Sequence, residues 1–133
     1  MRRISSNSGF EKAVGYSRAV VDDHYVHVSG TTGFDYETMT ISDDPAEQAQ
    51  QAFANIARAL AAARVSFADL VRVTYYIADA DDYEALTPVF RQHLGPHPPA
   101  ATALIAKLID PRIKIEIEVT ARRPNPMRHA GTE

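Results

Sequence analysis

Ile113-Lys114-Ile115-Glu116-Ile117-Glu118-Val119-Thr120 is the stretch on which the fold turns. Four β-branched apolar residues fall on every second position, and Lys, Glu, Glu and Thr fall between them. That alternation is the mark of a strand with one face in a core and the other polar. Upstream, Asp110-Pro111-Arg112 reads as a turn and the small, apolar run Ala101–Leu108 as a second strand. Leu70–Ile77 reads as a third. Its expected faces are Val71, Val73, Tyr75 and Ile77 on one side and Leu70, Arg72, Thr74 and Tyr76 on the other.

Two helices punctuate these strands. Asp44-Pro45, with Glu47 three residues after Asp44, is a helix start, and alanine, glutamine and leucine carry the helix to Ala63. Ala49, Phe53, Ile56 and Leu60 form its apolar stripe, while Gln48, Gln51, Asn55 and Arg58 are expected on the other side. Asp79–Asp82 opens the second helix, with Tyr83, Leu86, Val89 and Phe90 as its stripe and Pro88 as a kink or a shortened first turn. Gly95-Pro96 stops it. Near the start, Ser17–Val21 and Tyr25–Ser29 read as a hairpin closed by Asp22-Asp23-His24, with Gly30-Thr31-Thr32-Gly33 as the strand's end. The order β-β-α-β-α-β-β predicts an α+β domain with two helices on one face of a mixed sheet. The uncovered face carries Tyr25, His27 and Tyr76, a poor solvated set, so the sheet is expected to pack against further copies of the chain.

The chain has 133 residues, a formal charge of -3 and no cysteine. That length fits one domain, expected over residues 1–123, with the Pro-broken stretch 124–133 as a flexible tail. Absent cysteine excludes disulfides, thiolate metal sites and a cysteine nucleophile, and fits a reducing cytoplasm. The weak acidic balance gives no general attraction to nucleic acid or membranes. No apolar run approaches a membrane span, and the basic opening Met1-Arg2-Arg3 has no apolar region behind it, so no secretory signal is expected.

Candidate chemistry is sparse. Glu116 and Glu118 share a strand face. Either one activates a water beside a ligand, or both are a solvated strand face with Lys114, and spacing alone favours the second reading. His24 and His27 fall on opposite strand faces, a glycine-proline break separates His93 from His97, and His129 is in the tail, so no metal site is expected. The Gly30–Gly33 loop lacks a phosphate-binding pattern, although its backbone amides could hold a carboxylate. Arg18, Arg72 and Arg112 are the cations nearest the strands, and each is more commonly a surface charge. Tyr16, Tyr25, Tyr75 and Tyr76 suit a pocket, a core or an interface.

Several segments, in order, resemble the Rid family (reactive intermediate deamination, also YjgF). They are Gly15-Tyr16-Ser17-Arg18-Ala19-Val20, Val28-Ser29-Gly30-Thr31, Gln51-Ala52-Phe53-Ala54-Asn55-Ile56, Asp69–Tyr76 and Ile115–Ala121. The resemblance implies a chorismate-mutase-like α+β subunit, a homotrimer and small-molecule clefts between subunits. It also implies cofactor-free hydrolysis of 2-imino acids to 2-keto acids and ammonia. Carried onto this chain, it makes Glu116 the group that positions water. Tyr16, Ser29, Gly30 and Thr31 would shape the pocket, and Thr87 would stand where many deaminases have asparagine. The family's substrate-anchoring arginine follows a Pro-Ala pair. Here Pro99-Ala100-Ala101-Thr102 puts Ala101 at that position, with no gap between it and Glu116. A desolvated arginine–carboxylate pair is worth roughly 2–5 kcal/mol when broken, so its loss argues against ordinary imino-acid deamination. Lys107 lies six residues along, about 20 Å on a strand, and cannot replace it within one subunit. Arg18, or an arginine across the trimer, is the remaining candidate. A pocket holding Ala101, Thr102 and Glu116 suits a neutral or cationic molecule. The alternatives are a non-catalytic small-molecule binder and, third, an endoribonuclease or translation inhibitor, which the acidic balance disfavours.

Overall fold

A computed structural model describes residues 1–124. The expected tail therefore lies, from residue 125 on and including His129, outside the described residues. The elements are β1 (Arg2–Ile4), α1 (Gly9–Val14), β2 (Ala19–Val21), β3 (Tyr25–Thr32), β4 (Phe34–Asp35), β5 (Thr40–Ile41), α2 (Pro45–Ala62), β6 (Leu70–Ile77), α3 (Tyr83–Leu94), β7 (Ala100–Ile105) and β8 (Ile115–Arg122). Six strands form one mixed sheet in the order β1-β2-β3-β8-β6-β7. Only β6 and β7 pair in parallel, and α3 is the crossover that this pairing requires. The seven elements read from the sequence are all present. The N-terminal β1 and α1 and the β4–β5 hairpin are additions whose three-, six- and two-residue lengths leave no periodic signal.

Helix α2 packs its stripe on the sheet: Ala49, Phe53 and Ile56 are fully buried, with Leu60 nearly so. They meet Val26, Val73, Ile115, Ile117 and Val119, the inward residues of β3, β6 and β8. Asp44 Oδ2 accepts from Glu47 N at 2.9 Å, so the expected N-cap forms. The reciprocal half of the box does not. Glu47 accepts instead from Ser42 Oγ, and that hydroxyl accepts from Asp44 N at 3.1 Å. At the other end, Arg2 Nη2 donates to Ala62 O at 2.6 Å, a cation on the helix's exposed carbonyls.

Three face assignments change. Gln48 and Asn55, expected on the solvent side, are 0% and 4% exposed. Their amides serve the backbone of neighbouring loops. Gln48 donates to Ser42 O and Arg112 O and accepts from Lys114 N, and Asn55 donates to Thr32 O and Phe34 O. Because Lys114 N is taken by Gln48, β8 starts at Ile115 rather than Ile113. In β6 a register shift between Leu70 and Arg72 turns Leu70 into the core and leaves Val71 outside, reversing the expected faces there. Pro88 sits inside α3, which continues through it. Glu84 O, deprived of the Pro88 amide, accepts instead from Thr87 Oγ1 at 3.4 Å, and the shortened first turn is the 3₁₀ segment Ala80–Asp82.

Among the described residues nothing covers the face opposite the helices. Thr74, Tyr76, Glu116 and Thr120 are half-buried there, and Glu118 is exposed. All six residues of the edge strand β7 are exposed. No helix among the described residues is long and apolar enough to cross a membrane.

The Gln48 amide predicts a stability effect out of proportion to its polarity. Gln48→Ala strands two carbonyls and one amide, and should lower unfolding stability by about 1–3 kcal/mol in urea titration. Arg91→Ala, on the exposed side of α3, should shift it by less than about 0.5 kcal/mol. Equal shifts would show that the amide bridges nothing.

Candidate functional site

Strand β3 does not run straight into its neighbour. Its pairing with β8 shifts register between Val28 and Thr31, so Ser29 and Gly30 bulge out of the ladder. Their carbonyls need other donors, and Arg18 supplies them. Arg18 is 2% exposed. Its Nη1 lies 2.8 Å from Gly30 O, 2.8 Å from Thr31 Oγ1 and 3.4 Å from Ser29 O, while Nη2 donates to Tyr16 Oη at 3.3 Å. Glu11, also buried, places Oε2 3.7 Å from Arg18 Nε, and that nitrogen makes no hydrogen bond. Glu11 in turn accepts from the Ser5 and Ser6 hydroxyls and from Ser6 N. The rings of Tyr16 and Tyr36 lie 5.6 and 5.4 Å from the guanidinium carbon. Arg18 is therefore a buried keystone and not the surface charge that its residue type suggested.

The bulge brings Gly30 against Glu116. A Cβ at Gly30 would fall on Glu116 Oε2, so glycine here serves close approach of a side chain rather than an unusual backbone angle. Gly33 serves the other end of the same loop, where a Cβ would strike the backbone of Gln48 on α2. Glu116 is half-buried, and among the described residues no donor is bonded to its carboxylate. Burial raises its pKa above the ordinary glutamate value. Arg18 pulls it down and Glu118 pushes it up, and burial prevails. Glu118 accepts from Tyr76 Oη at 2.8 Å, a bond that raises the tyrosine's pKa. Burial likewise raises Tyr16, with Arg18 opposing, so its hydroxyl stays protonated at neutral pH.

In front of Glu116 lies a cavity of about 460 Å3, within the range of small-molecule sites. Its wall joins α1, the β3 bulge, the loop between β4 and β5, and the turn before β8. Phe10, Tyr16, Tyr36 and Ile109 give it an apolar lining, and Ser29, Thr32, Asp110, Glu116 and Glu118 are its polar groups. Arg112 binds Asp110 through two nitrogens, at 2.8 and 3.1 Å, and holds that carboxyl down at about 2.

Of the residues singled out from the sequence, Tyr16, Ser29, Gly30 and Glu116 come together on this cavity. Thr31 lies just behind it, fully buried and bonded to Arg18. Thr87, Ala101 and Thr102 lie elsewhere in the chain. Thr87 is on α3, and Thr102 bonds Arg72 on the open sheet face. Ala101 pairs with Val73, two strands from Glu116 and on the helix-side parity, whereas Glu116 pairs with Tyr76 on the other face. The sequence reading missed Glu11, Phe10, Phe34 and Tyr36. The only local sign was an arginine inside the apolar hairpin segment, a charge that must be partnered if the segment is buried. Among the described residues no group of three His, Asp or Glu is placed to hold a metal.

Comparison with known proteins agrees with this architecture. A family model described as Endoribonuclease L-PSP matches residues 7–123. A 2-iminobutanoate/2-iminopropanoate deaminase of Homo sapiens is 32% identical over 123 residues, covering 91% of this chain and 90% of that protein. Among solved structures, Rv2704 of Mycobacterium tuberculosis, described as a member of the YjgF/YER057c/UK114 family, is 36% identical. It covers 92% of this chain and 98% of that one, with a TM-score of 0.84. RidA of an Antarctic Psychrobacter is 30% identical, covers 91% and 94%, and has a TM-score of 0.79. With the mixed sheet, the two covering helices and these likenesses over nine-tenths of its length, the chain belongs to the Rid (YjgF/YER057c/UK114) family.

Proposed function

We propose that this protein is a homotrimer that hydrolyses an imine or enamine to a carbonyl compound and ammonia, without a cofactor, in clefts completed by a neighbouring subunit. The observation that carries the reading is Glu116, half-buried against Gly30 at the floor of the cavity and free of any bonded donor among the described residues. A carboxylate so placed accepts a proton from water as the water oxygen attacks the C=N carbon. The π pair moves to nitrogen, and the glutamic acid returns the proton to it, giving a carbinolamine. As the C–N bond then breaks, its electron pair goes to nitrogen, the hydroxyl proton passes by way of Glu116 to that nitrogen, and the C=O bond forms. Tyr16 and the Ser29–Gly30 bulge shape the wall. The open sheet face and the exposed strand β7 support trimer formation, since Leu104, Ile105 and Ile109 are exposed apolar side chains in a single chain. Such packing would bring a neighbour's Thr87, Ala101 and Thr102 to the cleft, which one chain alone does not do.

Ala101 sets the second reading, a non-catalytic binder. The substrate carboxylate anchor expected from the resemblance is absent at that position, while the water-positioning acid is retained. The endoribonuclease description of the family model finds no support in a chain of net charge -3.

Two measurements test the hydrolase reading. Ammonia release from 2-iminopropanoate, generated in situ, should be slow in the native protein. Ala101→Arg should raise it, and adding Glu116→Gln to that variant should lower it about 10²–10⁴-fold. Turnover that survives Glu116→Gln would remove Glu116 from the reaction. Native turnover as fast as that of an arginine-bearing relative would show that no anchor was lost.

The second measurement is stability against pH. Glu116 has a raised folded pKa, so between the unfolded and folded values the native state holds the extra proton. Stability is therefore lost as pH rises through that window, and the loss is complete above it. Glu116→Gln should raise the unfolding midpoint at pH 7, and the gain should vanish below the ordinary carboxylate range. A gain that persists in acid would locate its cause in packing.

A further inference from the structure

We infer that the ligand of the Glu116 cavity is an organic cation with an apolar body: a protonated amine, or the iminium of an aldehyde or ketone that bears no carboxylate. The inference rests on the cavity being the site, as proposed above, and adds the charge of what enters it.

Among the described residues of one chain no arginine or lysine lines this cavity, and three carboxylates do. Of those, Asp110 is neutralised by two bonds from Arg112, and Glu118 is bonded by an uncharged tyrosine hydroxyl. Glu116 has no bonded donor at all among the described residues. The wall therefore carries a surplus of negative charge, on exposed Glu118 and on half-buried Glu116, and at Glu116 neighbouring charges are less screened. Burial is what raises the Glu116 pKa, and a cation beside it would return the carboxylate to its charged form.

The nearest buried cation cannot reverse that sign. Every nitrogen of Arg18 faces inward: Nη1 on the bulge, Nη2 on Tyr16 and Nε beside Glu11. At 2% exposure it has nothing to offer a ligand's carboxylate, and withdrawing it would strand Glu11 and the carbonyls of Ser29 and Gly30. Lys107 lines a different hollow, between β7 and the turn before β8. An anion entering the Glu116 cavity would thus meet a like charge and, among the described residues of the same chain, no basic partner.

The remaining wall suits a cation's body. Phe10 and Phe34 meet edge-to-face at 5.8 Å, and Tyr16 and Tyr36 add two more rings. Arg112 lies 5.1 Å from the Phe34 ring centre and Arg18 lies 5.6 and 5.4 Å from those of Tyr16 and Tyr36, so these rings offer a ligand their remaining faces and edges. Aromatic walls with carboxylates hold ammonium groups through ring faces and ion pairing together. With an iminium the reaction balances as R2C=NH2+ + H2O → R2C=O + NH4+. Water oxygen bonds carbon, the C=N π pair moves to nitrogen, and Glu116 carries one water proton to that nitrogen. The hydroxyl's proton follows by the same carboxylate as the C–N pair leaves with nitrogen and C=O forms.

The test uses two probes of the same ring and similar length but opposite charge, 2-phenylethylammonium and 3-phenylpropanoate, titrated into the full-length protein by NMR. The cation should bind about tenfold more tightly at low salt, with part of that preference kept at about 0.15 M salt. Glu116→Gln should remove most of the preference, and Glu118→Gln a smaller part. Circular dichroism confirms that each variant is folded. Equal or tighter binding of the anion overturns the inference. So does a cation preference untouched by both variants, and so does binding of neither probe. Selective binding without catalysis would uphold the inference while refuting the hydrolase reading. Rapid hydrolysis of 2-iminopropanoate with anion preference would do the reverse.

Discussion

A guanidinium with almost no exposure holds this molecule's functional face together. Removing a charge from water is costly unless it is paired and its donors are used. Arg18 meets it in part, through Tyr16, Thr31 and the carbonyls of Ser29 and Gly30, while its Nε lies 3.7 Å from Glu11 without a hydrogen bond. Each partner lies on a different piece of chain. Glu11 belongs to α1, Tyr16 to the link into β2, and Ser29–Thr31 to the bulge of β3. The same ion pair that anchors the N-terminal helix therefore also sets the kink in the strand. That kink presents Gly30 to Glu116, and the cavity has its floor because the kink exists.

A second constraint is one-sidedness. Two helices cover one face of a six-stranded sheet, and the residues of the other face are neither solvated freely nor packed. Tyr76, Glu116 and Thr120 are half-buried there by their own neighbours alone. The site lies where this uncovered face meets the β3 bulge, so the chemistry of Glu116 is tied to whatever closes the sheet. In its own chain Ala101 lies two strands away on the other face and does not touch the cavity, so only the trimer proposed above would bring it there.

Legibility followed the strength of local signals. The alternation from Ile113 to Val119, the alanine-rich helix with its Asp44 cap and the existence of the Leu70–Ile77 strand were read from the sequence because each repeats a pattern over two turns or more than six residues. Gln48 and Asn55 were misassigned because a helical wheel places amides outward. The loops that need their donors come from residues 32–34, 42 and 112, and no periodicity reports loops. Leu70 and Val71 exchanged faces through one irregular pairing, which the strand's own composition does not encode. Of the residues that line the cavity, Tyr16, Ser29, Gly30 and Glu116 were singled out through resemblance to a family. Glu11, Phe34 and Tyr36 were not, since α1 and the β4–β5 hairpin are too short to announce themselves.

The amino-acid sequence by itself determined the layer arrangement, the order of the strands along the chain, the alternating final strand with its acid and the alanine where an arginine was expected. These are properties of period and position, carried by neighbours a few residues apart. Only the tertiary structure decided that Arg18 is buried, that Glu116 rests on Gly30 and that, among the described residues, no arginine or lysine lines the cavity around it. Those depend on which distant groups share a small volume of low dielectric. There, desolvation rather than residue type sets what a charge costs and what it can do.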